Sequence, residues 1–550
     1  MRIWLCLWIN LVAVRLPAQQ AQARSSAATA MTAIRPGAIR AHMRFLSDSL
    51  LAGRAAGTSG YDIAAKYVAA QLEALSVQPA GEHGTWFQNV SMRKSVNIAA
   101  KSSLTLFRNG KALALKPTDD FAFFGDLVRT QSDVEAPVVF VGYGVTAPEL
   151  TYDDYAGVDV HGKVVAFLTN APPRFPTSLR GFYSDDVVKS KNAADHGAVG
   201  ILEFMLPDDE RRYSPEIRFT ELSTGNLAWV DTKGQPSEAY PELRGWATLT
   251  RHGAQLLFEN APRTLTDVYA AADASQPQAF LLPWSVKLHT ASTWSALVSA
   301  NVVAKLTGSD PVLRNEYVVY TAHLDHLGTC PAISGDTVCH GTLDNASGVG
   351  TLLEIARAYR TLPHAPRRSI LFLFVTAEEI GDMEGSDYFA QHPTVSKESI
   401  VADVNIDVAP GMVFYGTNKL TAIGIEHSTL RENAERAARR TGYTLIEDVR
   451  PEENLFIRSD HYSFVKQGIP AVQVRNGGFS PDTIRKLFAS HYHTPLDNME
   501  QPINYEAGAN AARMIFLLGC DIANQDRRPV WNSNDFFGRA FASRSNNRVR

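Results

Sequence analysis

Cysteine is scarce: four in 550 residues, too few for a disulfide framework. No uncharged apolar run reaches the roughly 18 residues that would cross a bilayer, so no transmembrane segment is expected. Basic excess is missing too. Lys+Arg 53 against Asp+Glu 57 leaves a formal charge of −4, which offers no case for a nucleic-acid partner. There is no G-x-S-x-G elbow accompanying a triad and no P-loop, so serine-hydrolase and nucleotide chemistry lack support. Internal repeats and extended low-complexity tracts are absent. What is there is 45% hydrophobic and 20% charged, as in a soluble globular chain with ample core and more than one domain.

Residues 1–23, MRIWLCLWINLVAVRLPAQQAQA, carry Arg2, an apolar stretch from Ile3 to Val14 and an A-x-A site at Ala21-Gln22-Ala23. This reads as a secretory signal peptide, with a secreted or periplasmic mature chain starting near Arg24. Cys6 would leave with it. Cys330 and Cys339 bracket a short loop of turn-forming residues; in an oxidising compartment they pair, and otherwise they are two free thiols. Cys520, in MIFLLGCDIA, reads as a buried small hydrophobe.

Residues 24–134 read as an N-terminal helical segment, with a Gly-rich break at LAGRAAGTSG. From 135 to 285 the texture is β-rich α+β: APVVFVGYG and KVVAFLT are strand-like, and SKNAADHGA then VGILEF read as helix then strand. Within 286–525, NVVAKL, YVVYTAH, ILFLFVTA and IVADVNID are nearly continuous in aliphatic residues, as parallel strands buried on both faces would be. Helical stretches alternate with them, so the fold class is α/β: a mostly parallel mixed sheet with helices on both faces. Residues 526–550 carry six Arg and two Asp among Ser and Asn and read as a basic, exposed or disordered tail.

Ligands of open parallel sheets bind beyond the carboxyl ends of the strands. There the sequence places His323 and Asp325, then Glu378-Glu379, then Asp407. Asp344 sits in the Gly-rich turn GTLDNASGVG that opens a helix, and His493 lies in HYHTPLDN. Imidazoles and carboxylates without a thiolate suit zinc. Five such ligands exceed the three that a lone catalytic zinc uses, which suggests two ions bridged by a carboxylate.

These segments resemble the M28 zinc aminopeptidases that carry an inserted protease-associated (PA) domain. The resemblance lies in NVVAKLTGSDPVLRNEYVVYTAHLDHLG, GTLDNASGVGTLLEIARAY, FVTAEEIGDMEGSDYF, NIDV and YHTPLDN. The 135–285 module is similar to a PA domain on YDDYAGVDVHGKVVAFL and SKNAADHGAVGIL. The resemblance implies a zinc exopeptidase fold and two zinc ions. Asp344 would bridge them, with His323 and Asp407 on one and Glu379 and His493 on the other. Asp325 would accept the second ring N–H of His323, Glu378 would be the general base that takes a proton from a water between the metals, and Tyr492 would steady the oxyanion. The substrates would be peptides, cut after their N-terminal residue; the PA-domain partner is not named by any motif.

Other polar residues nearby receive bland readings. His326 reads as a loop residue near the site, His491 as exposed, and His461 as a possible cleft residue. Ser459 or Asp460 reads as a helix N-cap, and Asp497 as the organiser of its own turn. The Cys330–Cys339 loop is expected to rim the site. A carboxypeptidase or glutaminyl cyclase on the same scaffold, or a receptor-like binding protein, remain alternatives; for a carboxypeptidase, Arg458 is the visible candidate to hold a terminal carboxylate.

Overall fold

Along Ser369–Val375, Ile370, Phe372 and Phe374 enter one apolar cluster, while Leu371, Leu373 and Val375 enter another. Successive side chains of a strand point to opposite faces, so a strand covered on both sides must be apolar throughout. The computed structural model, which describes residues 26–212, 224–274, 278–413 and 415–542, builds its main sheet on such strands. The signal-peptide segment expected at 1–23 lies outside the described residues.

At the centre of this mixed α/β fold are four parallel strands in the order Ser369–Val375, Tyr317–His323, Ile400–Asn405 and Ala471–Asn476. Lys419–Ile423 pairs antiparallel with the last of these. The stretch NVVAKL, expected to be parallel, instead runs antiparallel to Ser369–Val375, because its strand returns from the inserted module. One face is covered by Pro36–Leu46, Ser59–Ala74, Gly348–Arg360 and Tyr505–Asn524; the other carries Glu384–Gln391 and His461–Val465.

A second sheet makes up the inserted module, with Gln131–Phe140, Val164–Leu168, Gly200–Phe204 and Trp246–Leu249 parallel in that order. The 27-residue strand Phe280–Leu306 belongs to both sheets. Its first part pairs with Ser103–Phe107 and with Gln131–Phe140; from Ser292 onward it pairs with Phe87–Asn97 of the main sheet. The module therefore begins well before residue 135. The expected helical reading of 24–134 holds only for its first part, since polar residues interleave with apolar ones along Phe87–Asn97 and Ser103–Arg108. Asn226–Trp229, inside the expected insert, returns to pair with Phe87–Asn97 in the main sheet.

The tail departs from expectation as far as residue 542. Phe537 is fully buried, with Trp531, Phe536 and Phe541 packed around it, and the Trp531 indole donates to the Gly468 carbonyl at 2.8 Å. Four aromatics anchor a segment whose charge and polar content suggest exposure. No described helix is long and apolar enough to cross a membrane.

Candidate metal centre

Because the four central strands are parallel, the residues just beyond their carboxyl ends converge. His323 ends Tyr317–His323, Glu378-Glu379 follow Ser369–Val375, and Asp407 follows Ile400–Asn405. Asp344 lies in the turn Thr342–Ser347 before Gly348–Arg360, and His493 just after Pro481–His491. The two oxygens of Asp344 face different partners: Oδ1 is 3.2 Å from His323 Nε2, and Oδ2 is 3.5 Å from His493 Nε2. On the first side His323 Nε2 lies 3.4 Å from Asp407 Oδ1. On the second, His493 Nε2 lies 3.0 Å from Glu379 Oε2. Among the described residues, three groups with ligand atoms mutually within 4.8 Å could hold a metal ion: His323–Asp344–Asp407, His323–Glu378–Glu379 and His326–Asp344–Glu379.

The third group includes a residue read from the sequence as a mere loop histidine. His326 is fully buried, its Nδ1 is 2.5 Å from Glu379 Oε1, and its Nε2 has no hydrogen-bond partner. Its spacing, three residues after His323 at a strand end, was the only signal. Asp325 also differs from expectation. Its carboxylate accepts the backbone N–H groups of Glu378 at 3.2 Å and Glu379 at 3.3 Å, while His323 Nδ1 faces the Asp325 main-chain carbonyl at 3.3 Å. The carbonyl holds Nδ1 as the donor and leaves the Nε2 lone pair aimed at the carboxylates. The Asp325 side chain instead ties its own loop to the Glu378-Glu379 loop.

Two buried residues set the backbone under Asp344. Asp497 accepts from the Leu343 and Asp344 N–H groups, so it organises the metal-type turn as well as its own. Arg54, from the Gly-rich break, is 1% exposed, and its guanidinium donates to the carbonyls of Leu46, Leu324, His340, Gly341 and Asp344. Five main-chain acceptors in one fork tie the N-terminal segment to two site loops; no motif marks Arg54 for this. The remaining readings resolve as follows. Ser459 donates to Asn405 Oδ1, and neither it nor Asp460 caps the helix His461–Val465 through its side chain. His461 is fully buried and neither ring nitrogen is bonded. His491 is half-buried and shares an apolar pocket with Leu343, Val408, Val413, Leu487, Phe488 and Tyr492, open beside Asp344. The Tyr492 ring stacks on that of His493, centroids 3.7 Å apart. Cys330 and Cys339 are bonded to each other, and Cys330 Sγ lies 3.5 Å from the His493 carbonyl, so this hairpin rims the site.

Electrostatics divide the two glutamates. Burial pushes the Glu378 carboxyl well above its ordinary range, reinforced by Glu379, Asp407 and Asp460 against the opposing charge of His323. Glu379 is buried as well, but His493 and His326 hold it down at about 2. Burial alone would raise Asp344; hydrogen bonds from His323 and His493 keep it well below the carboxylate range. His493 is lifted to about 10, burial being outweighed by Glu379 and Asp344. The cluster thus demands positive charge, which protons on histidine supply and which a divalent cation would supply by displacing them. Nitrogen and oxygen donors with an unbonded buried imidazole nitrogen fit a borderline metal.

Residues 301–518 match the model of Peptidase family M28. The chain is 26% identical over 369 residues to Aminopeptidase NAALADL1 of Mus musculus, covering 57% of this chain and 47% of that protein. It is 33% identical over 136 residues to Carboxypeptidase Q of Mus musculus, covering 24% of this chain and 27% of that one. The chain thus spans less than half the length of these curated relatives. Among solved structures, an aminopeptidase from Aneurinibacillus sp. strain AM-1 superposes with a TM-score of 0.53 at 18% identity, covering 90% of this chain and 96% of that one. That likeness concerns the fold. Every residue of the cluster lies within 301–518, the span that matches the Peptidase family M28 model.

Proposed function

We propose that this chain is a di-zinc aminopeptidase that removes N-terminal residues from peptides outside the cytoplasm. The observation that carries the reading is the division of Asp344, one carboxylate oxygen toward His323 and Asp407 and the other toward His493 and Glu379. His323 and Asp407 would hold one zinc, Glu379 and His493 the other, and Asp344 both. His326, on Glu379 Oε1, leaves Oε2 to face His493. Two zinc ions in this arrangement supply a polarised scissile carbonyl and a water acidic enough to attack near neutral pH.

The protein's own groups do the rest. The Glu378 carboxylate, whose affinity for a proton burial raises, would accept the water's proton and pass it to the leaving amine. The Asp325 carboxylate holds the Glu378-Glu379 backbone so that one side chain serves as base and the other as ligand. Tyr492, stacked on His493, would donate its hydroxyl to the developing oxyanion. The apolar pocket beside Asp344 would take an apolar N-terminal side chain. The 135–285 module is read as a PA domain. Export is supported by the signal-like residues 1–23 and by the Cys330–Cys339 bond.

The test is a metal count by atomic emission together with hydrolysis of leucyl anilide with and without chelator. Two zinc per chain and chelator-sensitive release of the anilide are expected. A single zinc would favour cyclase-type chemistry, and no hydrolysis in the zinc-loaded protein would end the enzymatic reading.

A further inference from the structure

Against Phe488, a residue that lines the pocket beside Asp344, lies a cation that the metal chemistry does not use. Arg450 is 9% exposed, and its guanidinium lies over the ring of Phe488, 5.1 Å from the centroid. Phe488 lines the pocket and packs against Tyr492, whose ring stacks on His493. Its backbone N–H donates to Asp448 Oδ1 and its carbonyl accepts from Glu453 N–H, while among the described residues its five side-chain N–H donors find no acceptor. Its surroundings oppose a charge there: burial and the nearby Arg475 and Arg458 all depress its pKa, against Glu453 and Asp448. Arg475 sits 3.8 Å from Asp407 and donates to Gln473 Oε1, and Arg458 pairs with Glu453 at 3.4 Å.

A largely buried cation near two like charges, with two carboxylates close enough to act on it but neither in ion-pair contact, is a costly arrangement for a fold to keep. Phe488 provides a flat surface that orients the guanidinium, and a guanidinium presents a fork matched to a carboxylate. We infer that Arg450 is a substrate-recognition residue, and that the peptides hydrolysed carry a carboxylate which pairs with it beside the Phe488 pocket. That group is either the terminal carboxylate of a very short peptide or an acidic side chain. The chain is then selective for small anionic peptides and discriminates against amidated or neutral ones. This rests on the peptidase reading for its substrate class, but the carboxylate site can be read by binding alone.

The experiment measures calorimetric binding to the zinc-loaded Glu378→Gln protein, in which turnover is blocked. Leucylglycine is compared with leucylglycine amide and with leucylglutamic acid α-amide. The free acid should bind at least about tenfold more tightly than the amide. Arg450→Gln, in the same background, should collapse that ratio to about one, while Arg450→Lys keeps part of it as a point charge. If the glutamyl amide regains the affinity that the glycine amide lacks, the site reads a side-chain carboxylate; if it does not, the site reads the chain terminus. Equal binding of acid and amide to the protein with Arg450 intact, or a ratio that survives Arg450→Gln, would overturn the proposal. Leucyl anilide turnover by the Glu378-containing protein is followed separately: failure there with the acid-to-amide ratio intact removes the peptidase reading and leaves the carboxylate site standing.

Discussion

Two buried charge clusters in this molecule are built from similar residues and come to opposite ends. At the strand ends, Asp344, Glu378, Glu379 and Asp407 face His323, His326 and His493, and Arg475 reaches them only at the edge, 3.8 Å from Asp407 Oδ2. At the seam between the main sheet and the inserted module, Asp387 and Glu238 close on Lys466 at 3.1 and 3.0 Å, with Asp185 and Asp382 close enough to act on its charge. Burial would lower the Lys466 pKa, but these four carboxylates raise it well above its ordinary value. The seam carries its own cation and is complete as folded. Apart from Arg475 beside Asp407, the strand-end cluster is balanced by titratable imidazoles, so most of its positive charge is exchangeable. That difference separates a structural cluster from one that could hold a metal.

The comparison can be broken most sharply at Glu378. Glu378→Gln is expected to lower turnover about 10²–10⁴-fold while zinc content by atomic emission is unchanged; undiminished hydrolysis would show that the raised carboxyl is not the base. Next comes the seam. Lys466→Met leaves Asp387 and Glu238 without their cation and should cost about 3–5 kcal/mol in denaturant unfolding, with metal content intact. Loss of zinc in that variant would mean that the two clusters are not independent. Asp325→Asn should weaken zinc affinity or activity about 10–100-fold, since it loosens the backbone that carries both glutamates; no change in either would remove its positioning role.

A gentler probe is pH. His427, between Asp535 at 2.7 Å and Glu426 at 3.3 Å, pins the C-terminal segment and is raised to about 9, burial being outweighed by those two carboxylates. A histidine raised on folding contributes its full stability below the ordinary value near 6.5. That contribution should fade as pH climbs from there through about 9, seen as faster hydrogen exchange around Trp531 and Phe537. Exchange there that stays flat across this window would contradict the pinning. The smallest effect is expected on reducing Cys330–Cys339, which should raise KM more than it releases zinc; no effect on either would count against the hairpin's place at the rim.

Much of the strand-end cluster was legible because parallel strands obey a positional rule. His323, Glu378, Glu379 and Asp407 each follow an aliphatic run, and the rule places such residues at one end of the sheet. His326 stands in a loop near the site, as read; that it is fully buried against Glu379 was not legible, because a loop's direction is not encoded in spacing and that loop turns inward. Asp325 was assigned the right neighbour and the wrong atom: sequence adjacency suggested a side-chain contact to His323, whereas the main-chain carbonyl makes it. Arg54 and Arg450 were not found at all, because the partners of the first are backbone carbonyls and the guanidinium of the second meets only an aromatic ring distant in sequence.

By itself the sequence determined which segments are doubly covered strands, since a strand with both faces buried has to be apolar at every position, and so it also determined which polar residues stand at their ends. Tertiary structure alone decided how the carboxylate oxygens of Asp344 are divided, that Phe280–Leu306 serves two sheets, and that the aromatics after residue 526 pack against the domain. These depend on distances between groups far apart in the chain, and only the folded packing sets those distances.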